Sequence, residues 1–135
     1  MTSPVLLDTS TAVPLLIADH PAHDHVVDAL SGSVLGLAGH AAFETYSVLT
    51  RLPAPARRTP VVATLLRVNF PESRYLPEAD AGRLLARLPA LGVSGGSVYD
   101  ALVGAVAVHH ALPLATRDAR AADVYAALGV DVDML

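Results

Sequence analysis

The chain has no cysteine and no lysine, and only 4% of its 135 residues are aromatic. Without cysteine it can form neither a disulfide nor a thiolate metal site, which suits a reducing cytoplasm. Without lysine, every cationic side chain is arginine. That excludes P-loop nucleotide hydrolysis, which needs a lysine on the phosphates, and lysine-assisted phosphatase chemistry. It also rules against a phospho-receiver signalling domain, which needs an acidic pair after its first strand and a lysine after its last. So few aromatic rings mean a core of Ala, Val and Leu, within a hydrophobic fraction of 53%. Small side chains of this kind favour close packing of helices on a sheet.

Positive charge is also scarce. Nine basic against thirteen acidic residues give a net charge of −4, which argues against a broad electrostatic grip on nucleic acid. Bound cations would cancel part of that acidity. The N-terminus lacks the basic segment and long apolar run of a signal peptide, and Asp8 interrupts its only apolar stretch. Residues 98–114 are apolar enough to suggest a membrane span, but Asp100, His109 and His110 lie inside. The stretch also falls short of the usual ~20 residues. A buried helix, no membrane association and a cytoplasmic location are expected, in a single domain over residues 1–135.

Strand and helix signals alternate. Pro4 to Asp8 reads as a buried strand, followed by a helix capped by Ser10 and running to about Ala18. Pro21 opens a helix to Leu30 with Val26, Val27 and Leu30 on one face. Val34 to Leu37 is a second strand, and His40 to Arg51 a helix with Phe43, Tyr46, Val48 and Leu49 as its apolar neighbours. Leu52-Pro53-Ala54-Pro55 breaks the chain at a surface loop, and Thr59-Pro60 restarts a helix through Arg67. Arg74 to Leu76 reads as a brief strand, and Pro77 begins a helix ending near Leu91-Gly92. Gly95-Gly96-Ser97 supplies a turn and cap for a helix over Val98 to Ala111. Pro113 to Thr116 is a strand, Asp118 to Leu128 a helix, and Val130 to Val132 a terminal strand. This alternation implies a three-layer α/β/α fold around a mainly parallel sheet. In such sheets ligands gather beyond the carboxyl ends of the strands.

Four carboxylates stand where apolar stretches meet turns or helix starts: Asp8, Glu44, Asp100 and Asp118. Each has an ordinary structural explanation. Asp8 suits an Asx turn at a strand end, and Glu44 a solvated helix edge. Asp100 would favour the helix dipole by ~0.3–1 kcal/mol, and Asp118 is normal chemistry for a helix start. Taken together they suggest more. Two like charges ~4 Å apart repel by about 4 kcal/mol at an effective dielectric of about 20. A converging set therefore calls for a hard divalent cation, and Mg²⁺ prefers a few carboxylates plus water and substrate phosphate. The chemistry suggested is metal-dependent attack on a phosphodiester.

The segments Val5-Leu6-Leu7-Asp8-Thr9-Ser10, Glu44 in its helix, Gly96-Ser97-Val98-Tyr99-Asp100-Ala101-Leu102 and Leu114-Ala115-Thr116-Arg117-Asp118 resemble the PIN-domain family. More narrowly, length and motif order are similar to the ribonuclease toxins of bacterial VapBC-type toxin–antitoxin pairs. The resemblance spans almost the whole chain. It implies a PIN-like fold in which Asp8, Glu44, Asp100 and Asp118 hold Mg²⁺ or Mn²⁺ and the water that attacks RNA. It further implies that Thr9 and Thr116 help to orient the site, that RNA is the substrate, and that a small antitoxin blocks the acidic pocket. Arg51, Arg57, Arg58, Arg117 and Arg120 are the side chains available to meet phosphate, Arg51 and Arg117 foremost.

A homodimer is expected from the apolar residues Val13, Leu15, Leu16, Val26, Val27 and Leu30 of the early helices. The alternative function is a catalytically silent PIN-like module that acts only by binding partners. Among the histidines, His20, His23 and His25 read as solvated surface rather than a zinc trio. His109 and His110 suit the negative end of a helix, and His40, one turn before Glu44, suits a cap or an RNA contact.

Overall fold

Leu6 and Leu7 point to opposite faces of a strand, and both are fully buried. That single fact places a layer of helices on each side of the sheet. In the computed structural model, which describes residues 3–53 and 57–135, strands β1 (Val5–Leu7), β2 (Leu35–Leu37), β3 (Leu114–Thr116) and β4 (Val132–Met134) form a sheet in the order β2-β1-β3-β4. Every pairing is parallel, with Leu6 opposite Gly36 and Leu114. The helices are α1 (Thr9–Leu16), α2 (His23–Leu30), α3 (His40–Thr50), α4 (Thr59–Asn69), α5 (Glu78–Arg87), α6 (Ser97–His110) and α7 (Ala122–Leu128), the last preceded by a 3-10 turn at Ala119–Ala121.

On one face Leu6 and Leu114 meet Ala41 of α3, Val103, Val106 and Ala107 of α6, and Tyr125 of α7. On the other, Leu7, Leu37 and Ala115 meet Ala12 of α1, Val26 and Leu30 of α2, and Phe70 after α4. Small residues let the helices lie close: a Cβ added to Gly104 on α6 would stand 3.0 Å from Leu128 and 3.1 Å from Tyr125. The composition led to this expectation of Ala-, Val- and Leu-based layers.

Several sequence-based assignments shift. Asp8, not Ser10, caps α1, accepting from the Ser10 backbone N–H. The buried face of α3 is Ala41, Thr45 and Leu49, whereas Phe43 is 65% exposed and Tyr46 also faces outward. Val27 is exposed while Val26 and Leu30 are buried, and Leu15 and Leu16 pack against the same core. The early helices thus cover most of the apolar surface that suggested a dimer. The terminal strand begins at Val132 rather than Val130, and α5 ends at Arg87.

Residues 74–76 are not a strand; Arg74 makes only an isolated parallel bridge to Ala38. The reason lies in its neighbour. Past Ala38 the chain turns at Gly39, with φ 52°, into α3, so Tyr75 and Leu76 find no extended backbone to pair with; on the other side of the bridge the Leu37 N–H goes to the Ser73 hydroxyl at 2.9 Å. The segment still presses on β2 so closely that a Cβ at Gly36 would fall 2.1 Å from the Glu72 carbonyl oxygen. Part of the expected break at 52–55 lies outside the described residues. No helix among the described residues is long and apolar enough to cross a membrane.

Candidate active site at the carboxyl edge of the sheet

The chain leaves β1 towards β2 on one side and returns to β3 on the other, which makes the β1–β3 boundary the switch point of the sheet. Crevices at such points are where open parallel sheets bind ligands. Asp8 follows β1 directly and Thr116 ends β3, so both reach this crevice. Asp118 follows two residues later. Glu44 arrives from the second turn of α3 and Asp100 from the first turn of α6.

Asp8 is only 5% exposed. Its Oδ1 accepts from the Ser10 N–H at 3.1 Å and the Ser10 hydroxyl at 2.6 Å. Its Oδ2 accepts from Thr116 Oγ1 at 2.5 Å and from the Tyr125 hydroxyl at 2.9 Å. A carboxylate offers about four lone-pair directions, so these donors occupy all of them. The hydroxyls are oriented in turn, because Ser10 Oγ accepts from the Arg117 N–H at 2.8 Å and Thr116 Oγ1 from the Asp118 N–H at 3.0 Å. Helix chemistry assists here. Pro14 has no N–H for the Ser10 carbonyl, and Arg117 Nη1 donates to that oxygen at 3.4 Å instead.

Glu44 and Asp100 are partnered differently. Partial burial raises the Glu44 pKa above its ordinary value; nearby His40, with Nε2 3.8 Å from Oε1, opposes this, while Asp100 and Asp8 add to it. Burial likewise raises Asp100, reinforced by Asp118 and Asp8 and opposed by Arg120. The four carboxylates thus share one electrostatic neighbourhood, although their sequence separations gave no guarantee of it. Asp118 Oδ1 accepts from the Arg120 N–H at 3.0 Å and lies 3.4 Å from Arg120 Nε, whose side chain is otherwise solvated.

Among the described residues, no three acidic or histidine side chains are gathered closely enough to enclose a metal ion by themselves. The oxygen-only donor set, with Glu44 and Asp100 raised by burial and by like charge, suits a cation that keeps much of its water and takes one or two carboxylates plus a phosphate. It does not suit a closed zinc cage. Asp8 would have to release one of its four donors to join the coordination.

Thr116, to which the resemblance gives an orienting role, lies beside Asp8 and donates to it. Thr9 is different: its hydroxyl is buried and has no hydrogen-bond partner among the described residues, Asp8 included. Ser10 and Tyr125 were not among the sequence-derived site residues. The Asp-Thr-Ser turn held the signal for Ser10, but no local motif links Tyr125 to a carboxylate 117 residues away. Arg51 lines a groove of about 310 Å³ with His40, Phe43, Glu44, Ser47 and Val48, and Arg117 sits at the crevice rim. Of the remaining histidines, His23 Nδ1 lies 2.8 Å from the Pro14 carbonyl, His109 lies 3.5 Å from Asp80, and His110 lies 2.9 Å from the Tyr75 carbonyl.

The chain is similar to known proteins over almost its whole length. The PIN domain family model matches residues 5–127. The chain is 45% identical over 133 residues to the protein named Ribonuclease VapC27 of Mycobacterium tuberculosis, covering 98% of this chain and 97% of that one. It is 42% identical over 130 residues to Ribonuclease VapC40 of the same species, covering 95% and 96%. Among solved structures, VapBC2 from Rickettsia felis bound to a DNA fragment from their promoter contains a chain matching at a TM-score of 0.68 and 12% identity, with 98% of each chain covered. At that identity the likeness concerns the fold alone.

Proposed function

The chain belongs to the PIN-domain family, and from that membership we propose that it is a divalent-metal-dependent endoribonuclease, the toxin of a toxin–antitoxin pair. The observation that carries the catalytic part is that Glu44 and Asp100, at the carboxyl edge of the sheet, are raised in pKa by burial first and then by neighbouring carboxylates, Asp8 among them. Such crowding is unfavourable until positive charge arrives. The similarity to proteins named ribonucleases supports RNA as the substrate and VapC-type toxicity as the role.

A bound Mg²⁺ or Mn²⁺ would neutralise charge on the scissile phosphate and lower the pKa of an attacking water. Glu44 and Asp100 are the carboxylates best placed to hold it, because no hydrogen-bond donor among the described residues occupies them. Asp118 borders the same space and acts through water. Asp8 anchors the arrangement, and Thr116, Ser10 and Tyr125 fix its orientation. Arg51 and Arg117 meet phosphates flanking the cleaved bond. Thr9, whose buried hydroxyl has no hydrogen-bond partner among the described residues, would help to orient the site.

The same reading includes a cognate antitoxin that places a basic group in the acidic crevice, a homodimer, and a cytoplasmic location. A silent partner-binding module remains the second reading, and one observation favours it: all the lone pairs of Asp8 are already engaged. The two readings separate on purified protein and total RNA. Endonucleolytic products that form with Mn²⁺, stop with EDTA and return when metal is restored support the nuclease. Intact RNA under every metal condition supports the silent module.

A further inference from the structure

The chain contains two Phe and four Tyr. Phe70 and Tyr125 are buried, but Phe43, Tyr46, Tyr75 and Tyr99 lie at the surface. A protein so poor in aromatic residues therefore places most of them outside its core. Two of the four are tied to Glu44: Tyr99 stacks on His40, whose Nε2 lies 3.8 Å from Glu44 Oε1, and Phe43 lines one groove with Glu44. Tyr99 is 49% exposed and stacks on His40 with ring centroids 4.7 Å apart and an interplanar angle of 14°. Phe43 meets Tyr75 edge-on at 6.4 Å, and these rings are 65% and 54% exposed.

We propose that Tyr99, supported from behind by His40, is a stacking platform for an unpaired RNA base next to the cleaved bond. The Phe43–Tyr75 pair continues the path along α3. The assignment rests on the nuclease reading above and adds the side chains that select single-stranded substrate. Three features favour a base as the occupant. The rings adjoin the carboxylates proposed to act on phosphate, so a nucleotide beside that phosphate falls within their reach. The groove along α3 ends at Arg51, roughly 10 Å from Glu44 at the helical rise, where a guanidinium can meet a neighbouring phosphate. Finally, a chain of net charge −4 cannot gain much affinity from general attraction to phosphates. Stacking provides affinity independent of charge, and it needs ring faces that a paired base in a duplex does not expose.

The test measures binding in Ca²⁺, an oxygen-seeking cation that offsets the carboxylates. Its probes are a short labelled single-stranded oligoribonucleotide of mixed sequence and an abasic ribose–phosphate strand of equal length. Wild type should prefer the base-bearing strand. Tyr99→Leu should weaken that strand by roughly 5- to 150-fold, the range for loss of one stacked base, and leave the abasic strand unchanged. Tyr99→Phe keeps the ring and should bind like wild type.

Equal affinity of wild type and Tyr99→Leu for the base-bearing strand would overturn the platform. So would an equal loss on both strands, or a Tyr99→Leu protein that loses only its capture of a protein partner. Cleavage of the same oligonucleotide in Mn²⁺ separates the two claims. Tyr99-dependent binding without cleavage retains the platform and removes the nuclease. Cleavage and binding that ignore Tyr99→Leu do the reverse, and a wild type that binds neither strand removes both.

Discussion

Tyr125 donates its hydroxyl to Asp8 Oδ2 at 2.9 Å, joining the last helix to the end of the first strand. Burial, then the charge of Asp8 and this bond, hold the phenol far above its ordinary pKa, so it remains a donor. The ring also fills the space beside Gly104, which ties the packing of α6 and α7 to the orientation of a site carboxylate.

Tyr125→Phe keeps that packing and deletes one donor. Hydrogen bonds to charged groups contribute about 1.5–3 kcal/mol, so urea unfolding should show a lower midpoint with an unchanged slope. An unchanged midpoint would mean that the bond contributes nothing to holding Asp8.

Glu44 and Asp100 make the pH dependence of stability run opposite to that of a salt-bridged carboxylate. Their folded pKa values lie above the ordinary 4.5 and 3.8. The folded state therefore holds these protons more tightly than the unfolded chain. Their contribution to stability is greatest below the ordinary values and is lost as pH rises through the raised ones. In metal-free buffer near neutrality, Asp100→Asn and Glu44→Gln should each melt higher than wild type, with the advantage fading in acid. Melting curves across pH decide this; variants that melt lower at neutral pH would contradict the crowding argument.

Divalent metal should remove that advantage from the other direction. A cation that binds only the folded state adds about 2.7 kcal/mol at a hundredfold excess over its Kd. Mn²⁺ should raise the melting temperature of wild type and do so less in Asp100→Asn. Equal shifts in the two proteins would place the cation elsewhere.

How much of this was legible in the sequence depended on range. Asp8, Thr116 and Asp118 sit at the ends of parallel strands, and strand ends follow from apolar runs interrupted by turns. Their convergence then follows from the topology. The faces of α3 defy simple patterning because Phe43 and Tyr46 are hydrophobic yet lie outside, while the buried positions beside Leu49 are the small Ala41 and the polar Thr45. Composition alone carries no sign of that inversion. Residues 74–76 resemble a strand, but the segment they would pair with turns into α3 just past Ala38. Tyr125 stayed hidden because a hydrogen bond across 117 residues leaves no periodic mark.

Ala111 ends α6 in the left-handed region, at φ 53° and ψ 44°, with its N–H directed to the Ala107 and Val108 carbonyls. A Cβ there costs ~1 kcal/mol or more, and glycine is the usual residue for this cap. Ala111→Gly should stabilise the protein by up to about 1 kcal/mol and leave RNA cleavage unchanged, as thermal melts and a nuclease assay would show. A less stable variant would mean that the alanine methyl group makes compensating contacts.

Metal-dependent RNA hydrolysis by the four carboxylates stands or falls on a comparison of wild type with Asp100→Asn. Both proteins, purified identically and shown to be folded, are incubated with total cellular RNA and Mn²⁺. Wild type should produce discrete endonucleolytic fragments, and Asp100→Asn should produce almost none while melting at least as high in metal-free buffer. Equal cleavage by the two proteins would contradict the assignment, since the products would then come from another site or another enzyme.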